Sequence, residues 1–157
     1  MDVIVGRRAL SPALVAGAVM SWVPPVVLVV ARLRWTDVPA RVPTHWGGAG
    51  VADGWGSSGA VFWALLVPGV VGALICAVLA VTLATDTTRG RAALAIGVVS
   101  AVTGAIATVW FTMVLSAEGV AGALLPVFGA LVWGGLVAAV CLLRREPASL
   151  APQSATP

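Results

Sequence analysis

Charged residues in this chain fall into narrow bands, and between them run four long uncharged stretches, Ala9–Ala31, Gly54–Thr85, Ala92–Ala117 and Gly119–Leu143. A helix needs about 20 residues to cross a bilayer, and each stretch supplies that length. The pattern predicts helices over about 9–33, 58–84, 91–116 and 120–143. Pro24-Pro25 removes two backbone donors from the first, which predicts a kink and not a break. That span ends at Arg32, Arg34 and Trp35, whose side chains can reach the interface from the last helical turn. Ser57 or Ser58 is placed to cap the second helix, where Pro68-Gly69 and Gly72 add local flexibility. In the third, Ala93, Gly97, Ala101 and Ala105 recur every four residues, a small-residue stripe that lets a neighbouring backbone approach closely. In a chain of four helices, packing within the chain outweighs homodimerisation as its use. The fourth stops at Arg144-Arg145, and the proline-containing tail 146–157 is expected to be disordered.

The expected fold is therefore all-α: an integral membrane protein, a four-transmembrane-helix bundle over 1–145, with one structured outer loop between helices 1 and 2. Composition agrees, with 60% hydrophobic and 10% charged residues, too little polar surface for a water-soluble domain of this length. A formal charge of +3 would suggest nucleic acid in a soluble protein, but here all the basic residues are Arg and they sit mostly at helix ends, so nucleic acid is not an expected partner. The lipid bilayer is. Six Arg (7, 8, 89, 91, 144 and 145) fall on one side of the four-span plan and three (32, 34 and 41) on the other. The positive-inside rule then places both termini in the cytoplasm of a plasma-membrane protein and the 34–59 loop outside. Arg7-Arg8 before an apolar run is read as anchoring an uncleaved first helix, not as a signal peptide. Cys76 and Cys141 lie within spans and read as small buried apolar side chains.

Only the segment RWTDVPARVPTHWGGAGVADGWGSSG, residues 34–59, is unexplained by the need to span a bilayer. Pro39 and Pro43 fix φ and bias Val38 and Val42 towards extended backbone, a rigid strut. Gly47, Gly48 and Gly50 permit a reversal, and Asp53-Gly54 favours a second, tight turn. Five of the seven Trp, at 35, 46, 55, 63 and 110, gather on the outer side. That asymmetry suggests a cap lying on the membrane surface with Trp46 and Trp55 as anchors. His45 is the chain's one histidine. One His with scattered carboxylates falls short of the three or four ligands of a zinc site, so no metal is expected. The plainer reading has His45 bonding loop backbone and holding the cap together, while Asp53 closes the turn at Gly54.

Pro39, Pro43-Thr44-His45-Trp46, Gly50 and Asp53-Gly54-Trp55-Gly56-Ser57 together resemble the signature of domain of unknown function 1648 (DUF1648). That signature runs roughly Pro, Ile-Pro-x-His-aromatic, Gly, then Asp-Gly-Trp followed by Ser-Lys ahead of a membrane helix. The resemblance covers residues 38–68. It departs at Val51-Ala52, where an acidic residue and Pro are common, and at Ser58, where Lys is usual. It implies a membrane protein whose relatives include SdpI-like immunity proteins, longer chains that protect against a secreted peptide toxin.

Three function classes follow. The first is an outer-loop binding or sensing module using Pro43, His45, Trp46, Gly50, Asp53, Gly54 and Trp55, with an extracellular peptide as partner. The second is a structural or accessory subunit bound to another membrane protein. An enzyme or transporter is the third and is not expected: no span carries a charge near its centre, no second base stands near His45, and no Walker-type loop or CxxC pair is present. No cofactor is expected either.

Overall fold

The computed structural model describes residues 11–48, 50–86, 88–119 and 125–143. The expected tail at 146–157 and the opening turn of the expected fourth helix lie outside them. The chain runs α1 (Pro12–Met20), α2 (Val23–Arg34), β1 (Arg41–Trp46), β2 (Ala52–Ser57), α3 (Ser58–Asp86), α4 (Arg89–Ala117) and α5 (Leu125–Leu142).

Helices α1 and α2 form one column interrupted at Ser21-Trp22, just before the proline pair. Pro24 and Pro25 have no amide hydrogen for the carbonyls of Met20 and Ser21, so the ladder lapses just before them. Both intervening residues nevertheless keep right-handed helical backbone, and Pro12–Arg34 forms one span. Pro68, by contrast, sits inside an unbroken α3.

Three columns, Pro12–Arg34, Ser58–Leu83 and Arg89–Ala117, are long and apolar enough to cross a membrane, which marks the chain as a helical membrane protein. The 18 residues of α5 extend about 27 Å at 1.5 Å per residue. Large apolar side chains such as Val19, Val26, Leu33, Val67, Val78 and Leu131 face outwards. Small ones fill the interior: Ala73, Cys76, Ala92, Ala93 and Ala130 are buried. In lipid the hydrophobic effect gives helices no reason to associate, so close backbone approach and internal hydrogen bonds must do so.

Helix α4 is the centre, packing against α1, α2, α3, α5 and β1. The small-residue stripe meets α5 of the same chain: a Cβ added at Gly97 would stand 2.7 Å from that of Ala138 and 3.0 Å from the Gly134 carbonyl oxygen. Beside the interruption of the first column, the buried Ser21 hydroxyl lies 2.9 Å from the Gly17 carbonyl oxygen and 2.6 Å from the Ser100 hydroxyl, which supplies partners for polar groups that no lipid could satisfy. At the far end from the hairpin, the Arg89 guanidinium donates to the carbonyls of Cys141 (3.0 Å) and Leu143, capping the free acceptors at the end of α5.

The chain is mostly helical as expected, and the segment between the first two columns adds a small two-stranded antiparallel sheet that the all-α expectation did not include. The extended bias at Pro43 is realised in β1, whereas Val38 and Pro39 precede the strand. The reversal falls at Gly47–Gly50 as expected, closed by Gly47 N–H to the Val51 carbonyl (2.9 Å) and Gly50 N–H to the Gly47 carbonyl (2.9 Å). Gly50 has φ +73°, a conformation that side chains disfavour. No second turn forms at Asp53-Gly54, which lie in β2. Ser58 opens α3, but its buried hydroxyl has no hydrogen-bond partner and so provides no cap. Its backbone N–H instead ties the helix start to the Ala40 carbonyl at 3.1 Å.

Candidate functional site: the hairpin between the first two columns

The hairpin has a sealed base and an open tip. Val42 and Pro43 are fully buried, and Val42 belongs to a cluster with Leu28, Phe62, Leu66, Trp110 and Val114 at the adjoining end of the bundle. Trp110 is its centre, edge-on to Trp35 and Phe62 with ring centroids 6.1 and 6.2 Å away. Such T-shaped pairs add to the stabilisation from burial. Beyond Pro43 the next three residues of β1 are exposed, and β2 alternates, with Asp53, Trp55 and Ser57 exposed and Ala52, Gly54 and Gly56 half-buried.

Cross-strand register pairs Arg41 with Ser57, Val42 with Gly56, Pro43 with Trp55, His45 with Gly54 and Trp46 with Ala52, with irregularities on both sides of His45. The two strand glycines make room for the side chains of β1. A Cβ at Gly54 would come within 2.8 Å of the His45 Cβ, and one at Gly56 within 2.9 Å of the Thr44 methyl. Pro43 has no amide hydrogen to give its partner Trp55, and the Arg41 guanidinium donates to the Trp55 carbonyl at 3.0 Å.

His45 Nδ1 pairs with a carboxylate oxygen of Asp53. An ionised carboxylate only accepts, so Nδ1 is the donor of this pair and Nε2 is left outside it. The bonding partner of His45 is thus a side chain and not loop backbone, and Asp53 pairs with it and does not close a turn. Both are largely open to solvent, with side chains 72% and 52% exposed. Trp46 and Trp55 are 39% and 46% exposed. Of the five Trp expected on this side, Trp35 and Trp110 turn out to be interior supports, whereas Trp46, Trp55 and Trp63 present indole surface.

The structure brings His45, Asp53 and Gly54 into direct contact. It uses Gly50 for the turn and turns Pro43 inwards. Sequence reasoning missed Val42 as the plug of the hairpin and Gly56 as the space for Thr44; an apolar residue isolated between Arg41 and Pro43 was the available signal for the first. Among the described residues no three His, Cys, Asp or Glu side chains gather as a metal site. The surface offers two indoles, an imidazole and a carboxylate, groups suited to holding a ligand by stacking and hydrogen bonds.

This arrangement assigns a class: a helical membrane protein whose first two long columns are joined by a bundle-mounted β-hairpin. Residues 25–71, the end of the first column, the hairpin and the first half of α3, match the family model described as "Domain of unknown function (DUF1648)". The match contains the segment 38–68 on which the resemblance rested and extends it back into α2. No curated protein and no solved structure matches the chain.

Exposure separates stability from surface chemistry here. His45→Ala is expected to change unfolding free energy by less than about 1 kcal/mol, because a polar pair this open to solvent competes with water at every contact. Gly54→Val should disturb the hairpin more, because its Cβ needs the space that His45 fills. Thermal unfolding of the two purified variants beside the parent checks the order, and equal losses would mean that the glycine contact has no structural weight.

Proposed function

We propose that the chain crosses the plasma membrane four times, with α5 as the fourth span, both termini in the cytoplasm and the hairpin outside. The count of six Arg against three supports that orientation. On this reading the hairpin is a binding surface that detects an extracellular peptide or amphiphile, and the chain is a sensing module and not an enzyme. A role in SdpI-like immunity is its most specific form. The observation that carries the reading is the exposure of Trp46 and Trp55 beside the His45–Asp53 pair, on a hairpin whose base is rigidly seated. A hairpin kept for stability alone would bury those indoles, as the bundle buries Trp110. The accessory-subunit alternative is weakened because α5 occupies the small-residue stripe that would have docked a partner.

Photo-crosslinking from position 46 in living cells tests the reading. Capture of a secreted peptide supports sensing, whereas capture of another membrane protein supports the subunit role and sinks it. In parallel, Trp46→Ala should insert at parental levels yet weaken ligand capture roughly tenfold or more, as loss of an aromatic anchor does. Undiminished capture by that variant counts against the hairpin as the binding surface.

A further inference from the structure

At the hairpin end of the bundle, the last turns of α2 and the first turns of α3 border a groove of about 430 Å³, lined by Val29, Arg32, Leu33, Phe62, Trp63 and Leu66. Positions 29, 32 and 33 share one face of α2, and 62, 63 and 66 share one face of α3, by the three- and four-residue spacing of a helix. The walls are therefore apolar along the membrane normal, with a single cation. Arg32 is exposed, and among the described residues no carboxylate pairs with it. Leu33 and Trp63, 78% and 62% exposed, flank it, and an exposed indole at a helix end belongs at headgroup depth. Gly59 also borders the groove, and a Cβ there would meet only the Ser57 hydroxyl, at 3.9 Å, so the space beside it is open.

We propose that this groove holds one anionic phospholipid, its acyl chain along Val29, Phe62 and Leu66 and its phosphate on Arg32. An anionic headgroup supplies the counter-charge that Arg32 lacks, and a guanidinium suits phosphate by its forked donors. A zwitterionic headgroup brings its own cation and gains less. The larger groove at the opposite end, bordered by Arg89, is a poorer candidate because that guanidinium is already engaged by the Cys141 and Leu143 carbonyls. The proposal needs the chain to sit in a membrane, but it does not depend on the hairpin acting as a sensor or on which side the hairpin faces.

Native mass spectrometry of the full chain in mild detergent, exposed to equal amounts of phosphatidylglycerol and phosphatidylcholine with identical acyl chains, tests it. The parent is expected to retain phosphatidylglycerol preferentially. Arg32→Gln should cut that preference about fivefold, the factor one Arg contributes near anionic lipid, whereas Arg32→Lys and Arg34→Gln should keep most of it. Gly59→Phe, which fills the groove, should lower retention of both lipids. Unchanged elution and near-ultraviolet circular dichroism of each variant separate lipid loss from misfolding. No preference in the parent, equal losses in Arg32→Gln and Arg34→Gln, or full retention in Gly59→Phe would overturn the proposal.

Discussion

Gly97→Leu is expected to leave little folded protein, with a loss of stability above about 3 kcal/mol, the upper end of ordinary overpacking in a core. The contact it would break is reciprocal. A Cβ at Gly97 meets Ala138 at 2.7 Å and the Gly134 carbonyl oxygen at 3.0 Å, while one at Gly134 meets the Gly97 carbonyl oxygen at 2.7 Å. Two of these three neighbours are backbone, which cannot turn aside as a flexible side chain can. A leucine at 97 would have to push α5 away from α4, and the loss would spread along the packed face of both helices. In a bilayer that face supplies much of the association, since lipid surrounds separated helices as comfortably as packed ones. Gly135→Leu is the control, because a Cβ at Gly135 meets nothing within 4 Å and the side chain would enter lipid. Thermal unfolding in detergent, with the yield of monodisperse protein, should separate the two widely. A Gly97→Leu protein melting beside the Gly135→Leu protein would contradict this α4–α5 packing.

The long columns were legible because charge is excluded from hydrocarbon, so bands of Arg and Asp mark helix ends whatever the helices later pack against. The stripe at Ala93, Gly97 and Ala101 likewise announced a close approach, but a row of small residues does not say which helix comes near; Gly134 and Ala138 had to be placed opposite it first. The hairpin was only half readable. Gly47–Gly50 marked the reversal correctly, but Asp53-Gly54 carries the same turn chemistry and competed with it. Gly54 and Gly56 are poor strand formers by themselves. They belong in β2 because His45 and Thr44 lie over them, a cross-strand requirement that local propensity does not contain. The clustering of Trp at one end was visible too. That Trp35 and Trp110 support the hairpin from below, while Trp46 and Trp55 remain open, follows from packing and not from position along the chain.

Trp110→Ala should release the hairpin from the bundle, and Trp110→Phe should not. Trp110 is wholly buried, and its ring touches Trp35, Phe62 and Phe111 in edge-to-face geometry. Cutting a buried aromatic back to alanine costs about 3–5 kcal/mol through lost contacts and the cavity left behind. Val42, the plug of β1, shares that cluster, so the cavity would open directly beneath the strand that carries His45. Phenylalanine changes two terms in opposite directions. It loses part of the indole's area, but it also removes the Nε1 hydrogen, which is buried with no hydrogen-bond partner. An unsatisfied buried donor costs about 1–3 kcal/mol, enough to offset much of the lost contact. Limited proteolysis within 41–57 should therefore quicken strongly in Trp110→Ala and hardly at all in Trp110→Phe, with melting temperatures in the same order. If Trp110→Phe proved as damaging as Trp110→Ala, the indole N–H would have to be bonded in the folded protein, and the hairpin would hang on a polar contact and not on aromatic packing.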